Sequence, residues 1–349
     1  EDFSGLIENS LIPIVCKVSE ELKRTCHLWA CHNGQRIGHG NRRILKEECV
    51  TKTTVPVVVG GVSLVSPRKV CVIPAAFVIA VLILAVFLAL REPLTRIFYA
   101  IPSKKVKRGH RFLLITDLHS TRYGKNGEKL LAVIRREKPE ALFFAGDIVD
   151  DRKPRDEVYA LLRAMAKQFP CYYATGNHEY YKKDADVIKR DLRAIGFHVL
   201  AGAGEIFSAA GDTVFIAGVD DPERYNKTPN HHDRTIDAAW TKQMQDAKKA
   251  CPDGMFSILL SHRPELASYY QKSGFDLVLS GHAHGGQARI PFLVNGLYAP
   301  HQGLFPPYAG GRYVLDETTL IVSRGLCKNA IPRIFNPPEY IVLEIGNEK

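Results

Sequence analysis

The sequence predicts a layered α/β domain over residues 111–349, and three observations support this fold class. Short apolar runs alternate with amphipathic segments along this range. Five short motifs built from Asp, Asn, His and Gly each follow one of the apolar runs. Hydrophobic residues make up 46% of the 349 residues, which is sufficient for a core of that size. Strands that alternate with helices indicate sheets covered by helices.

The segment before this domain divides into two parts. Residues 1–69 show no sustained periodicity, and we assign them no function. Their pairs Cys26-His27 and Cys31-His32 match no standard zinc-site spacing. Residues 70–90, in contrast, form a stretch of 21 residues without a charged side chain. A helix of that length spans the roughly 30 Å of a bilayer's hydrocarbon core, so this stretch predicts a transmembrane helix rather than a buried core helix.

Positive charge is concentrated in the amino-terminal part of the chain. Residues 1–111 contain 17 Lys and Arg against 8 Asp and Glu, whereas residues 112–349 contain 30 against 29. Seven basic residues follow the apolar stretch closely: Arg91, Arg96, Lys104, Lys105, Lys107, Arg108 and Arg111. We interpret residues 91–110 as a basic juxtamembrane linker. By the positive-inside rule, the pattern predicts a single-pass protein of the cell inner membrane with its carboxy-terminal domain in the cytoplasm, an export signal being the alternative.

The near-neutral charge of residues 112–349 argues against nucleic acid as a partner. A nucleic-acid surface is typically a basic stripe interleaved with aromatic side chains, and the sequence shows none. The three cysteines of this part, Cys171, Cys251 and Cys327, are odd in number and widely spaced. We therefore expect free thiols in a reducing compartment.

Hydrophobic periodicity predicts the elements of the domain in order. Apolar runs predict strands at residues 112–115, 141–144, 171–174, 214–219, 257–260 and 277–280. Amphipathic spacing predicts helices at residues 127–138, 157–168 and 184–195. In such sheets ligands bind at the carboxyl ends of strands, where the motifs lie.

The five motifs contain enough oxygen and imidazole ligands for two metal ions. They are Asp117-Leu118-His119, Gly146-Asp147, Gly176-Asn177-His178-Glu179, Ser261-His262-Arg263-Pro264 and Gly281-His282-Ala283-His284-Gly285-Gly286-Gln287. A mixed N and O set without thiolates favours Mn, Fe or Zn in a catalytic site. Two such cations activate water and stabilise a phosphoryl transition state, so the motifs predict a hydrolase of phosphate esters or anhydrides. Gly146, Gly176 and Gly281 precede ligands and are predicted to make turns with unusual backbone angles.

The ordered motifs resemble those of the calcineurin-like metallophosphoesterase superfamily over about residues 111–345. Later stretches are similar to its bacterial membrane-associated, YkuE-like phosphodiesterase branch: Gly296-Leu297-Tyr298-Ala299-Pro300, Gly303-Leu304-Phe305-Pro306, Val322-Ser323-Arg324-Gly325 and Asn336-Pro337-Pro338-Glu339. The resemblance implies a four-layer β-sandwich flanked by helices. The pair Cys327-Lys328 departs from the small residues expected there, which we expect to affect the substrate rim and to leave the metal site untouched.

The resemblance also implies roles for the motif residues. One metal would be held by Asp117, His119, Asp147 and His284, and the other by Asp147, Asn177, His262 and His282. Asp147 would bridge the two ions. His178 would face the phosphate and either stabilise the transition state or protonate the leaving oxygen. Asp150 and Asp151 either orient ligands or are solvated loop acids.

The substrate is less well defined by the sequence. Arg263, Arg289 and Arg324 are candidates for phosphate contacts. Residues 296–313 are rich in Leu, Tyr, Phe and Pro, and an apolar loop beside a phosphate site on a membrane-tethered domain favours a lipid-linked substrate. The branch includes enzymes similar to UDP-2,3-diacylglucosamine pyrophosphatase of lipid A biosynthesis. The alternatives are a phosphomonoesterase acting on phosphoproteins or small molecules and a non-enzymatic membrane scaffold.

Overall fold

The structure, a computed structural model, describes residues 67–225, 236–328 and 331–346, with side chains from residue 77 onward. Segment 1–69 therefore lies almost entirely outside the described residues. The described helices are α1 Pro67–Ala89, α2 Glu128–Glu137, α3 Asp156–Ala166, α4 His178–Tyr181, α5 Ala185–Ala194, α6 Ala238–Lys249 and α7 Ala267–Gln271. The described strands are β1 Thr95–Pro102, β2 His110–Ile115, β3 Ala141–Ala145, β4 Cys171–Ala174, β5 Phe197–Val199, β6 Ala203–Ala209, β7 Asp212–Gly218, β8 Phe256–Leu260, β9 Leu277–Ser280, β10 Tyr298–Ala299, β11 Gly303–Leu304, β12 Gly311–Leu315, β13 Thr318–Val322 and β14 Glu339–Gly346.

Helix α1 covers most of the stretch predicted to cross a membrane. Large apolar side chains of residues 77–90 are exposed, among them Phe77, Leu82 and Phe87. In the described part of the chain, however, no helix is both long enough and apolar enough to span a bilayer. The predicted transmembrane helix is therefore not confirmed.

Two six-stranded sheets form the domain. The first has the strand order β1-β14-β2-β3-β4-β5, in which β2 to β5 run parallel and β14 is antiparallel to β2. The second has the order β12-β13-β9-β8-β7-β6, in which β13, β9, β8 and β7 run parallel. Each sheet thus has a parallel centre, and parallel strands end at a common edge.

Alternating side chains place each sheet between two apolar layers. In β2, Phe112 and Leu114 point into a central cluster that also contains Ile258 of β8, so the two sheets pack face to face. Leu113 and Ile115 point the other way, into the layer formed with helices α2, α3 and α5. Each of these fully buried side chains contributes roughly 1.5–3 kcal/mol by leaving water.

The second sheet is covered in the same way on its outer face. Phe215 of β7 and Leu259 of β8 pack there with Trp240 of α6 and Tyr270 of α7. The layers therefore run helix, sheet, sheet, helix, which confirms the α/β class and the sandwich of two sheets flanked by helices.

The predicted elements agree with the described ones to within a few residues, but the predicted linker does not remain a linker. Residues Thr95–Pro102 of the range 91–110 form β1, which pairs in parallel with β14 along its whole length. Its burial alternates as expected for an edge strand with one face on the domain. The sheet thus begins before residue 111.

Candidate active site

The motif residues meet because they follow the carboxyl ends of parallel strands in both sheets. Asp117 and Asp147 follow β2 and β3 of the first sheet, and His262 and His282 follow β8 and β9 of the second. Backbone hydrogen bonds join the loops within each sheet, since the amide of Asp117 donates to the carbonyl of Gly146 and the amide of Gly281 donates to that of His262. Between the sheets, the amide of His282 donates to Asp117 Oδ1 at 3.0 Å. The two sheet edges therefore form one site.

Two groups of ligand atoms share this site. In each group the donor atoms lie within 4.8 Å of one another. The first group contains Asp117, His119, Asp147 and His284, and the second contains Asp147, His262 and His282. Asp147 belongs to both, which is the position that a bridging carboxylate requires. Asn177 lies beside them, because the next amide in the chain, that of His178, donates to Asp147 Oδ1 at 2.9 Å.

Unpaired polar atoms show that these residues fit metal ions. Five buried atoms of the predicted ligands have no hydrogen-bond partner: His119 Nε2, Asp147 Oδ2, Asn177 Oδ1, His262 Nε2 and His282 Nε2. Burying a polar atom without a partner costs roughly 1–3 kcal/mol, so five in one place call for a cation. His262 Nε2 lies 3.1 Å from Asp147 Oδ2 without the geometry of a hydrogen bond, as two ligands of one ion would.

The ligand loops hold an unusual backbone. Five of the seven predicted ligands have positive φ angles: Asp117, His119, Asp147, His282 and His284. Each residue of this kind costs on the order of 1–3 kcal/mol, and such strain concentrates at functional sites. Because the angle turns the side chain sharply off its strand, successive ligands aim inward.

Glycine is required at the three positions before the ligands for two different reasons. Gly146 has φ 86°, as predicted. Gly176 and Gly281 do not have positive φ angles, so the predicted turn geometry is wrong there. A Cβ on Gly176 would overlap Asp147, and one on Gly281 would overlap Asp117. These two glycines let the loops pack directly against ligand carboxylates.

In two of the histidine ligands, the imidazole nitrogen that faces away from the site contacts a second residue. His262 Nδ1 lies 2.8 Å from the carbonyl oxygen of Ala145, which leaves Nε2 directed at the site. His119 Nδ1 lies 3.4 Å from Asp150 Oδ2. Fixing one imidazole nitrogen in this way orients the other one toward a metal. Asp150 is 6% exposed, so this acid is buried against a ligand and not solvated.

Glu179 joins two of the ligand loops. This fully buried carboxylate accepts hydrogen bonds from the amides of Asp147, Ile148, Val149 and Gly176 at 2.8–3.1 Å. It thereby fixes the loop after β3 against the loop after β4. The sequence shows Glu179 next to His178 but cannot show which distant amides it meets.

His178 lies at the mouth of the site. Its side chain is 27% exposed, its Nδ1 is 2.7 Å from Asp151 Oδ1, and its ring packs edge-on against His119 at 4.4 Å. Asp151 is buried like its neighbour, so it orients this imidazole. The remaining nitrogen, Nε2, is the one available to a substrate.

Burial and charge set the protonation of the ligands. Burial opposes ionisation of Asp147, but the imidazoles of His262 and His119 hold the pKa of Asp147 well below its usual value. Burial likewise opposes protonation of His262, yet the carboxylates of Asp147 and Asp117 raise the pKa of His262 to about 10. Burial, with nearby positive charge, lowers the pKa of His282 and of His284 well below the usual value. The imidazole lone pairs of His282 and His284 are therefore available at neutral pH.

The three predicted phosphate-binding arginines lie in two different places. Arg263 is buried and donates to both carboxylate oxygens of Asp221 at 2.8–3.0 Å. Arg324 instead donates to Glu339 at 2.9 Å. Arg289 is half-buried near the same pair, and its Nε has no partner. The guanidinium groups of Arg263 and Arg324 are thus directed at protein carboxylates, and contact of any of the three arginines with phosphate stays a prediction.

Cys327 reaches the ligands, contrary to the expectation that the Cys-Lys pair leaves the metal site untouched. Its Sγ lies 2.8 Å from Nδ1 of His284. Burial raises the pKa of the Cys327 thiol to about 12, so it is protonated beside the imidazole. The contact spans 43 residues of chain and has no local sequence signal.

Two further residues complete the outer side of the site. The ring of His301 stacks on that of His282 at 5.6 Å, and Glu265 Oε1 lies 3.8 Å from His282 Nε2. Burial raises the pKa of Glu265 to about 7. Neither residue stands in one of the five motifs, so motif spacing could not indicate them.

This arrangement defines a class of protein. The site has buried N and O ligands for two cations at the strand ends of a double α/β sandwich, with a partly exposed histidine beside them. These features are those of a dinuclear metallohydrolase. The chain belongs to the calcineurin-like phosphoesterase family, whose model matches residues 110–286. It is a metal-dependent phosphoesterase.

Relatives support the same family. The chain is 30% identical over 302 residues to the uncharacterized metallophosphoesterase Cj0846 of Campylobacter jejuni, covering 78% of this chain and 70% of that protein. It is 29% identical over 248 residues to the uncharacterized metallophosphoesterase YkuE of Bacillus subtilis, covering 68% and 79%. It is 24% identical over 241 residues to the phosphodiesterase YaeI of Escherichia coli, covering 67% and 82%.

Proposed function

We propose that this phosphoesterase cleaves a phosphodiester or pyrophosphate bond in a lipid-linked substrate at a membrane surface. UDP-2,3-diacylglucosamine is the candidate that combines a pyrophosphate with acyl chains. The observation that carries the hydrolytic part is the set of five unpartnered ligand atoms, which two divalent ions, Mn, Fe or Zn, would satisfy.

The metal roles follow the two ligand groups. Asp117, His119, Asp147 and His284 would hold one ion, and Asp147, Asn177, His262 and His282 the other. When bound, the ions supply a water activated for attack and positive charge for the phosphoryl oxygens. The protein contributes the fixed orientation of that cluster, because Glu179, Asp150 and the carbonyl of Ala145 hold its loops and rings.

His178 would act on the phosphate itself. Asp151 accepts from Nδ1, which leaves Nε2 exposed at the mouth of the site. A proton held on Nε2 can hydrogen-bond a developing charge on the phosphoryl group or pass to the leaving oxygen. The backbone amide of His178 also donates to Asp147, so the catalytic ring and the bridging ligand keep a fixed relation.

The preference for a lipid-linked substrate is supported by apolar side chains near the site. The predicted apolar loop 296–313 exposes Leu304 and Phe305 by 48% and 61%, and the turn before it exposes Phe292 and Leu293 by 107% and 82%. Phe335, itself 37% exposed, donates its amide to the carbonyl of Ala89 at the end of α1. Apolar surface of this kind favours contact with acyl chains and with the cytoplasmic face of the inner membrane.

The reaction type is tested with the full chain and Mn²⁺ on three substrates: UDP-2,3-diacylglucosamine in vesicles, bis(p-nitrophenyl) phosphate and p-nitrophenyl phosphate. We expect the first two to be cleaved faster than the monoester. His178→Asn should lower the diester rate by about 100-fold, because general acid–base groups contribute about 10²–10⁴. The matched control is His198→Asn, an exposed histidine on β5. Faster cleavage of the monoester would favour the phosphomonoesterase alternative.

The lipid preference has its own test. The double variant Phe292→Ser with Leu293→Ser should lower turnover of the vesicle substrate and leave soluble diester turnover unchanged, because the turn does not contain a ligand. Val187→Ser, an exposed apolar position on α5, is the control. Equal turnover of vesicle substrate by parent and double variant would contradict the lipid preference.

A further inference from the structure

A cavity opens beside the candidate metal site. It has a volume of ≈ 430 Å³. Ligand sites for small molecules typically have volumes of about 300–1,000 Å³, so this cavity is large enough for part of a substrate. None of the seven predicted metal ligands lines it.

The cavity shares its walls with one group of ligands. Ser120 and Thr121 line it and directly follow His119 in the chain. Lys153 lines it too, and its Nζ donates to the carbonyl oxygen of His119 at 2.9 Å. Lys328 forms the other side and follows Cys327, whose Sγ contacts His284. A group bound here would lie next to a phosphate held at the metal ligands.

The cationic side chains that line this cavity differ in how far protein groups already pair with them. Arg122 is paired with Glu157 at 3.0 Å. Lys153 is 3.9 Å from Asp150 in addition to its bond with His119. The ammonium group of Lys328 makes a long hydrogen bond of 3.4 Å to the carbonyl of Glu92 and lies 5.8 Å from the centre of the Tyr123 ring.

Lys328 therefore has donor capacity to spare. Asp156 and Glu157 also line the cavity, but among the residues that the structure describes no carboxylate forms an ion pair with Lys328 Nζ within 4.0 Å. An ammonium group carries three donors and binds phosphate oxygens as a point charge. Its place between the cavity and the ligand His284 suits an anionic group adjacent to the one being cleaved.

We propose that this cavity binds the second phosphate of a substrate that carries two, with Lys328 as the main contact and Lys153 as a second cation. The preferred substrate class is then a pyrophosphate diester rather than a simple phosphodiester. This inference rests on the proposed hydrolytic function and narrows its substrate.

The reaction balances with water alone. A water oxygen forms a bond to one phosphorus, and the bond from that phosphorus to the bridging oxygen breaks. The bridging oxygen leaves with the electron pair as part of the second phosphate, which Lys328 would hold. The products are two phosphate monoesters, and the protons of the water pass to solvent. A leaving phosphate is already stabilised as an anion, so a fixed cation beside it assists the cleavage.

The test compares a soluble pyrophosphate diester, UDP-glucose, with bis(p-nitrophenyl) phosphate, using the full chain and Mn²⁺. Lys328→Met should lower kcat/KM for UDP-glucose about tenfold more than kcat/KM for the diester, because one bond to a charged group is lost. Lys328→Arg should recover most of that difference. Lys272→Met, at an exposed lysine beyond α7, should change neither value. Equal losses on both substrates, or no loss on either, would overturn the proposal.

A binding measurement separates this inference from the hydrolytic function. Inorganic pyrophosphate is titrated calorimetrically into the metal-free chain, and Lys328→Met should weaken its binding about tenfold. If the parent cleaves no phosphate ester with Mn²⁺ but shows this difference in binding, the proposed function fails and the cavity assignment stands. Equal affinities of parent and variant for pyrophosphate would contradict the assignment of the cavity as a phosphate site, whatever the hydrolytic activity.

Discussion

Replacing Glu179 by Gln should show how far one buried carboxylate holds the ligand loops together. Its two oxygens accept from four amides, two each, at 2.8–3.1 Å. A glutamine side chain keeps one oxygen and places an NH₂ group where the other one was. Two amides then face a donor instead of an acceptor.

The magnitude follows from those two amides. An unsatisfied buried donor costs about 1–3 kcal/mol, so we expect Glu179→Gln to lower the free energy of unfolding by about 4 kcal/mol. In a domain of this size, each kcal/mol shifts Tm by about 2–4 °C, which gives a decrease of roughly 8–16 °C. The two freed amides are those of Asp147 and Gly176 or those of Ile148 and Val149, and both pairs lie in ligand loops, so metal affinity should fall as well.

Thermal unfolding followed by circular dichroism and titration with Mn²⁺ measure the two effects. The control is Glu317→Gln at an exposed turn position, which should change stability by less than about 0.5 kcal/mol. A Tm within about 2 °C of the parent, with unchanged affinity for Mn²⁺, would refute the role assigned to Glu179.

Other predictions address different parts of the site. Burial raises the pKa of Glu265 to about 7, above its unfolded value, so the stability that its protonated form contributes is lost as pH rises toward 7. Glu265→Gln should remove about 2 kcal/mol of pH dependence between metal-free denaturation curves at pH 5 and at pH 7.5. Gly176→Ala should abolish diester cleavage in a steady-state assay because its Cβ overlaps Asp147, whereas Gly211→Ala, with open space around it, should cost only about 1 kcal/mol and keep full activity. Peptide mass spectrometry after brief alkylation should find Cys251 modified before the buried Cys327.

Hydrophobic patterns within short stretches of sequence predicted most of the helices and the buried strands of the domain. The strands with continuous apolar runs and the helices with 3.6-residue spacing were found where expected, because their burial is written into neighbouring residues. Strand β1 was missed since its alternating residues lie within a basic segment and its partner, β14, is more than 200 residues away. The transmembrane helix and the cytoplasmic location stay predictions.

The site shows the same division. The types and order of Asp117, Asp147 and His282 indicated metal chemistry, because few other roles use these residues at strand ends. The contact of Cys327 with His284 and the stacking of His301 on His282 depend on loops that meet only in three dimensions. Arg263 has the charge for phosphate, but its geometry is decided by Asp221 in another loop.

Metal content per chain tests the central claim most directly. After reconstitution with Mn²⁺ and removal of free ions, we expect two ions per parent chain by inductively coupled plasma mass spectrometry. Asp147→Asn should hold fewer than two and lose diester hydrolysis, since both ligand groups share this carboxylate. The control Asp246→Asn, at an exposed position on α6, should match the parent. A parent chain without bound metal, or an Asp147→Asn variant with two ions and full activity, would contradict the account.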